Sequence, residues 1–394
     1  MTSFFKDITK VLQDNIREYG MFIALFLIMG IFTFLTKGVF MSSRNISNLV
    51  NQMGYIAVLA VGMTLVIVIR HIDLSVGFLA GFLGAVAAIA LKAGVPVYVV
   101  IPIVLVLGIM AGLLTAFPVA RLGVPAFVTS LAGWLIYRGL LQLVTAGTGT
   151  IIISDNAFNA LGNGYIPDFP DMGFLPGVHK VTLLLGLIAI VLYILSAINN
   201  RRNKQAYNFE VLSMDIFILQ LVFISALVAF VTWTLSGYNG MSWTLVIVLV
   251  VTGVYSFVAS RTVLGRHIYA VGGNPDAAQL SGINVKYITF VVFASMGFLS
   301  ALSGILFASR LQSATTTAGT LFELDAIAAA FVGGVSAAGG VGKVTGSIIG
   351  AMVMMSLVNG MNLLGSDISL QYIIRGLVLV VAVIFDVMTR TRGK

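Results

Sequence analysis

PVYVVIPIVLVLGIMAGLLT, residues 96–115, contains no charged residue and no polar side chain beyond Tyr98 and Thr115. Twenty mostly apolar residues are what a helix needs to cross the hydrocarbon core of a bilayer. The rest of the chain repeats the pattern. Hydrophobic types make up 59% of its 394 residues, charged types 9%, and the mean hydropathy is +1.05. Soluble domains carry roughly 45–50% apolar and about 25% charged residues. That balance excludes a soluble enzyme, a nucleic-acid binder and a disordered regulator. It requires an all-α polytopic membrane protein lying in the lipid bilayer.

Outward from 96–115, eleven more candidate spans follow: 19–36, 53–69, 77–91, 126–144, 181–198, 216–235, 243–259, 288–308, 324–341, 344–364 and 372–389. Of these twelve, 77–91 and 324–341 are the weakest and suit broken or re-entrant elements equally well. The membrane-spanning body therefore covers 19–389, between a polar segment 1–18 and a tail 390–394. With a cytoplasmic N-terminus and twelve crossings, fifteen basic residues fall inside. Five (Lys37, Arg44, Lys92, Lys180 and Arg310) fall outside. This bias predicts both termini in the cytoplasm. The segment 1–18 mixes Lys6 and Arg17 with Asp7 and Glu18, which is not the pattern of a cleaved signal peptide.

Three polar loops interrupt the spans: an external one at 145–180, a basic cytoplasmic one at 199–215 and a cytoplasmic one at 260–287. The chain has no cysteine, and His71, His179 and His267 are widely separated. Thiolate chemistry and clustered metal ligands are therefore not expected. GGVGKV at 339–344 imitates the end of a phosphate-binding loop. Ala337 occupies the position of its first glycine, however, and Val344 that of its hydroxyl. A tight turn between spans fits better. Arg138 and Arg375 lie near the outer ends of their spans, where long side chains snorkel. Asp325 suits the N-terminal turn of a helix, and no proton relay is apparent.

Within 260–287, NPDAAQLSG predicts a short helix. Asn274 suits the N-cap, Pro275 the first turn, and Asp276 the positive helix end. Gly282 can close it in the left-handed region. Small residues at Ala277, Ala278 and Ser281 would let another protein's groove approach; a capped surface loop is the plainer reading.

Asp276-Ala277-Ala278-x-x-x-Gly282 resembles the EAA-x-x-x-G coupling loop of ABC importer permeases, with Asp for Glu. GRHIYAVGGNPDAAQLSGINV (265–285), HIDLSVG (71–77), ELDAIAAAFVGG (323–334) and AGGVGKVTGSIIGA (338–351) resemble the bacterial monosaccharide branch, which includes ribose, xylose and galactose permeases. The resemblance runs from about residue 40 to the C-terminus. Relative to ribose-type permeases the chain carries an insertion at 181–235, a layout similar to those of D-xylose and multiple-monosaccharide permeases. NIREYGMFIAL (15–25) and NGYIPDF (163–169) look closer to the latter.

The resemblance implies a homodimeric permease of the bacterial inner membrane, with a type II (vitamin B12-type) fold plus two extra helices. It implies a cytoplasmic ATPase with two fused nucleotide-binding domains, which binds ATP and Mg, and an extracytoplasmic sugar-binding protein. No cofactor and no catalytic or metal site is expected in this chain. Coupling falls to Asn274, Pro275, Asp276, Ala277, Ala278, Ser281 and Gly282. Polar residues on or between the spans are candidates for the sugar path or for helix–helix hydrogen bonds. They are Asn51, Gln52, Asp73, Ser75, Thr129, Ser130, Trp134, Asn359 and Asn362. Asp73 can also pair with Arg70 or cap the next helix. Arg310 and Glu323 flank the threonine-rich stretch 313–322, expected outside, where they could meet the binding protein. An ion-coupled carrier, or an ABC permease for nucleosides or a furanose signal, is the alternative.

Overall fold

A computed structural model describes residues 16–391, apart from 148, 171, 172, 174, 210 and 212. Most of the expected terminal segments 1–18 and 390–394 lie outside the described residues.

Nine helices among those residues are long and apolar enough to cross a membrane. They are α2 (Ser43–Val68), α4 (Val97–Leu122), α5 (Ala126–Thr145), α7 (Lys180–Ala206), α8 (Met214–Ser236), α9 (Trp243–Arg261), α12 (Val285–Leu311), α14 (Val344–Leu363) and α15 (Ile368–Thr391). Helix α1 (Ile16–Leu35) carries a shorter apolar stretch, Gly20–Leu35. Two others depart from the sequence expectation. Where 77–91 and 324–341 were expected as spans, α3 (Val76–Lys92) has 17 residues and α13 (Phe322–Val332) has 11. At 1.5 Å per residue these reach about 25 and 16 Å, short of the roughly 30 Å core. The glycines at 333, 334, 339, 340 and 342 follow α13 and end its helical run.

The chain still traverses the bundle between α12 and α14. Phe322, at the start of α13, packs at a tilt against Tyr55 halfway along α2, with ring centroids 4.8 Å apart. Gly340 N–H then bonds the carbonyl of Val68, the last residue of α2, at 2.9 Å. A half-helix and an irregular stretch thus run from the middle of α2 to its C-terminal end.

Helix α2 is the centre. It is apolar nearly all round, and helices of that kind are buried; Ile56 to Val61 and Met63 are fully buried. Around it pack α12, α13, α14 and α9. Helices α4 and α12 meet most extensively, through Gly108 and Gly112 of GIMAG. A Cβ at Gly297 would lie 2.8 Å from the Gly112 nitrogen, so the two backbones approach as only glycine permits. The inserted helices α7 and α8 pack chiefly on each other and leave most of their apolar surface exposed, as lipid-facing helices do.

One feature amends the all-helical expectation. β1 (Thr150–Ile152) pairs antiparallel with β2 (Ser313–Thr315), Ile151 opposite Ala314. With α6 (Asn156–Asn163) this two-stranded sheet forms a layer beside the C-terminal end of α12. The opposite end of the bundle gathers both ends of the described chain. Gly20 and Asp386 line one cavity, and Asp386 accepts the N–H of Ala337 at 3.0 Å, three residues from Gly340.

Candidate functional site

The loop after α9 folds into α10 (Val263–Gly273) and α11 (Pro275–Leu280). Its local chemistry is complete. The Asn274 side chain accepts Ala277 N–H at 3.0 Å, with Pro275 in the first turn. Gly282 adopts φ +86°. Its N–H bonds the Gln279 carbonyl (2.9 Å), and Ile283 N–H bonds that of Ala278 (3.0 Å). This paired C-terminal closure needs a left-handed residue. Asp276, Ala277 and Ser281 are exposed, whereas Ala278 is buried beneath them. The projecting apolar side chain is Leu280, 90% exposed. Sequence reasoning passed over it in favour of its small neighbours. A leucine next to a helix-closing Ser-Gly was the available signal.

Three backbone segments cross under this loop. Helix α2 ends with Arg70 at φ +66°. Arg70 N–H bonds the Ile67 carbonyl (2.8 Å) and His71 N–H that of Val66 (3.0 Å), the closure in which glycine usually sits. The side chain accounts for the arginine. Its Nε donates to the Gly272 carbonyl at 2.6 Å and its Nη2 to that of Gly273. Arg70 therefore does not pair with Asp73. A Cβ on Gly272 would overlap the Val68 carbonyl oxygen and lie 2.7 Å from Gly340 N. GGNPDAA and AGGVGKV thus meet at one crossing. The second is a turn, closed by Ser336 N–H on the Val341 carbonyl (2.9 Å) and by Tyr269 O–H on that of Gly342 (2.6 Å). Burial pushes the neighbouring His71 ring below its ordinary pKa, so it is neutral at pH 7.

Deeper in the bundle, the N-termini of α3 and α13 converge. Asp73 Oδ1 accepts Ser75 N–H (2.9 Å) and Ser75 Oγ–H (2.6 Å), both residues being buried. Ser130 donates to the Ile72 carbonyl at 3.3 Å. Glu323 lies in the first turn of α13, 5% exposed, rather than on an outer loop. Its Oε1 accepts Trp134 Nε1–H at 3.0 Å. Its Oε2 lies against Gly77 and has no hydrogen-bond partner among the described residues. Trp134 meets Phe78 edge-on at 4.9 Å, and the Arg138 guanidinium lies 5.3 Å from the Trp134 ring centre. Arg375, which suited snorkelling, instead pairs with Asp325 at 3.2 Å.

The remaining polar residues tie helices together. Asn45 donates to Asn359 (2.9 Å), and Asn359 to Gln52 (3.3 Å). Asn51 donates to the Tyr165 hydroxyl at 3.3 Å. Gln371 donates to Asn362 at 2.8 Å. Arg310 reaches Asn163 and Asn48, each at 3.4 Å, on the outer layer. Thr129 is half-buried on α5. Sequence reasoning missed Asn45, Tyr165 and the clamp made by Arg70, because each partner is remote in the chain.

The family described as branched-chain amino acid transport system / permease component matches residues 45–169 and 172–383. The xylose transport system permease protein XylH of Haemophilus influenzae is 38% identical over 384 residues, 97% of this chain and 99% of that protein. XylH of Escherichia coli K12 is 38% identical over 96% of this chain and 94% of its own length. The ribose import permease protein RbsC of Haemophilus influenzae is 36% identical over 94% of this chain and 93% of its own. No solved structure matches the chain.

Proposed function

The chain belongs to the branched-chain amino acid transport system / permease component family, and from that premise we propose that it is the membrane-spanning subunit of an ATP-driven importer of monosaccharides. The relatives named above are permease components for xylose and ribose, which makes pentoses the first cargo to test. A transport subunit of this kind performs no bond chemistry, and ATP hydrolysis belongs to a separate ATPase.

The observation that carries the reading is the capped, projecting helix α11. Its ends are satisfied by its own residues, so Leu280 is held in the open by a rigid support. That is the form of a docking element. In this reading Asn274–Gly282 seats in the ATPase, whose two nucleotide sites lie in one fused chain. The end of the bundle bearing α11, Gly20 and Asp386 is then cytoplasmic. The layer of α6, β1 and β2, with Arg310, is external and faces the sugar-binding protein. The membrane is the bacterial inner membrane, crossed twelve times with α3 and the 312–343 segment counted.

The exposed face of α5 supports a homodimer. Arg138 is exposed at membrane depth and has no carboxylate partner among the described residues. A lone cation there calls for water or a second subunit. The sugar path would run between two copies of this face. Thr129 and Trp134 would line it, with buried Ser130, Asp73, Ser75 and Glu323 behind them. Asn51, Gln52, Asn359 and Asn362 lock α2 and α15 to their neighbours in this arrangement.

Vesicles holding this chain, its ATPase and its binding protein should accumulate a pentose only when ATP is supplied on the ATPase side. Gly282→Asp should abolish that uptake and weaken ATPase association, because a side chain at φ +86° strains the closure and the carboxylate adds a charge to the docking surface. Uptake driven by an ion gradient without ATP would overturn the reading.

A further inference from the structure

Beside the crossing under α11, a cavity of about 510 Å³ opens between the end of α2, the α4–α5 turn and the first turn of α12. Arg70, His71 and Lys286 line it, with Ile72, Val119 and Phe127 as an apolar wall. None of its lining residues is acidic. The carboxylate next in sequence, Asp73, is committed to Ser75. Lys286 is exposed and without an ion-pair partner among the described residues. The two carbonyls on Arg70 carry no full charge to oppose it. Neutral His71 keeps one N–H to donate. Pro125 opens α5 at the cavity without a side-chain cap, so the first amides of that helix add their positive end.

A concave wall with two full positive charges and no counter-charge attracts anions. The volume exceeds what inorganic phosphate fills and lies within the usual range for small organic ligands. The geometry points to this cavity as a binding site for a phosphate ester, its phosphate on Lys286, Arg70 and His71 and its carbon portion on the apolar wall. The ester is either a soluble sugar phosphate or the headgroup of an anionic lipid, since basic pockets between membrane helices take such headgroups. A further consequence rests on the transport reading above. Arg70 both lines the site and clamps Gly272 and Gly273, so occupancy acts on the seat of α11.

The test uses the full chain in phosphatidylcholine nanodiscs, without ATPase or binding protein. Ribose 5-phosphate is titrated calorimetrically, with ribose as the neutral control. In a second arm, retention of phosphatidylglycerol against phosphatidylcholine is read by native mass spectrometry. Saturable binding is expected in one arm, which identifies the source. It should weaken at least tenfold in Lys286→Gln and further in His71→Gln/Lys286→Gln. Lys286→Arg should restore it, and Lys92→Gln, outside this cavity, should leave it unchanged. Absence of saturable binding in both arms overturns the site. So does equal binding of ribose, or a double variant that binds like the parent. Because no transport is measured, failure here leaves the importer reading standing, and failure of ATP-driven uptake leaves the site standing.

Discussion

Replacing Arg70 separates two quantities that the structure ties together. The left-handed conformation at φ +66° costs a non-glycine residue roughly 1 kcal/mol. The two hydrogen bonds from its guanidinium to Gly272 and Gly273 are charge-assisted. Such bonds contribute about 1.5–3 kcal/mol each, and a guanidinium in contact with solvent belongs at the low end. Arg70→Ala keeps the strain and loses about 3 kcal/mol of clamp. Arg70→Gly loses the same clamp and removes the strain. In both variants, hydrogen exchange of the amides in 272–278 should quicken roughly a hundredfold, since each 1.4 kcal/mol is a factor of ten. Amides of the α12 core around Ser300 should not change. The variants should part in overall stability, Gly retaining about 1 kcal/mol more than Ala. Unchanged exchange at 272–278 would refute the clamp. A glycine variant less stable than the alanine one would refute the backbone argument.

Gly272→Ala should lower thermal stability severely, by about 3 kcal/mol or more, because its Cβ meets backbone that cannot move aside, whereas Gly273→Ala, with open space, should be neutral. Glu323→Ala should cost about 1–3 kcal/mol by leaving the Trp134 N–H without its acceptor, and Glu323→Gln much less. The emission of Trp134 in a Trp233→Phe/Trp243→Phe background reads that contact directly. The N–H and hydroxyl of Ser369 hold the Asp367 carboxyl below its ordinary value. Its folded-state pKa is depressed, so its support of the α15 N-terminus is present above the unfolded value of about 3.9 and lost as pH falls through the folded value. A spin label at Ser366 should loosen on acidification below about pH 4 in the parent and show no such dependence in Asp367→Asn.

Features that depend on neighbours in sequence were legible. The cap at Asn274, Pro275 in the first turn and the closure at Gly282 all act within nine residues, and they form as their chemistry requires. The turn at GGVGKV, expected because Ala337 and Val344 stand where a phosphate loop has glycine and a hydroxyl, forms between α13 and α14. What the sequence could not show is depth. Hydropathy measures how apolar a stretch is, so 324–341 reads as a span although its helix begins level with the middle of α2. Glu323 was accordingly expected beside an outer loop, and its partner Trp134 lies 189 residues away. The same holds for Asn51 and Asn359. A polar residue on a membrane helix serves a path or a neighbouring helix equally well until the packing is known.

The two short helices follow from the cost of unpaired amides. A helix that begins inside the bundle leaves its first N–H groups without intrahelical partners, where water cannot serve them. Here the compensation is shared between elements. Asp73 and Ser75 close the approach to α3, while Glu323, which belongs to α13, lays its second oxygen against Gly77. Trp134 of α5 holds the first oxygen. Three helices therefore meet through one carboxylate, and that carboxylate is only half satisfied. Any displacement of α5 relative to α13 stretches the Trp134–Glu323 bond. The junction therefore ties the positions of α3, α5 and α13 to a single side chain.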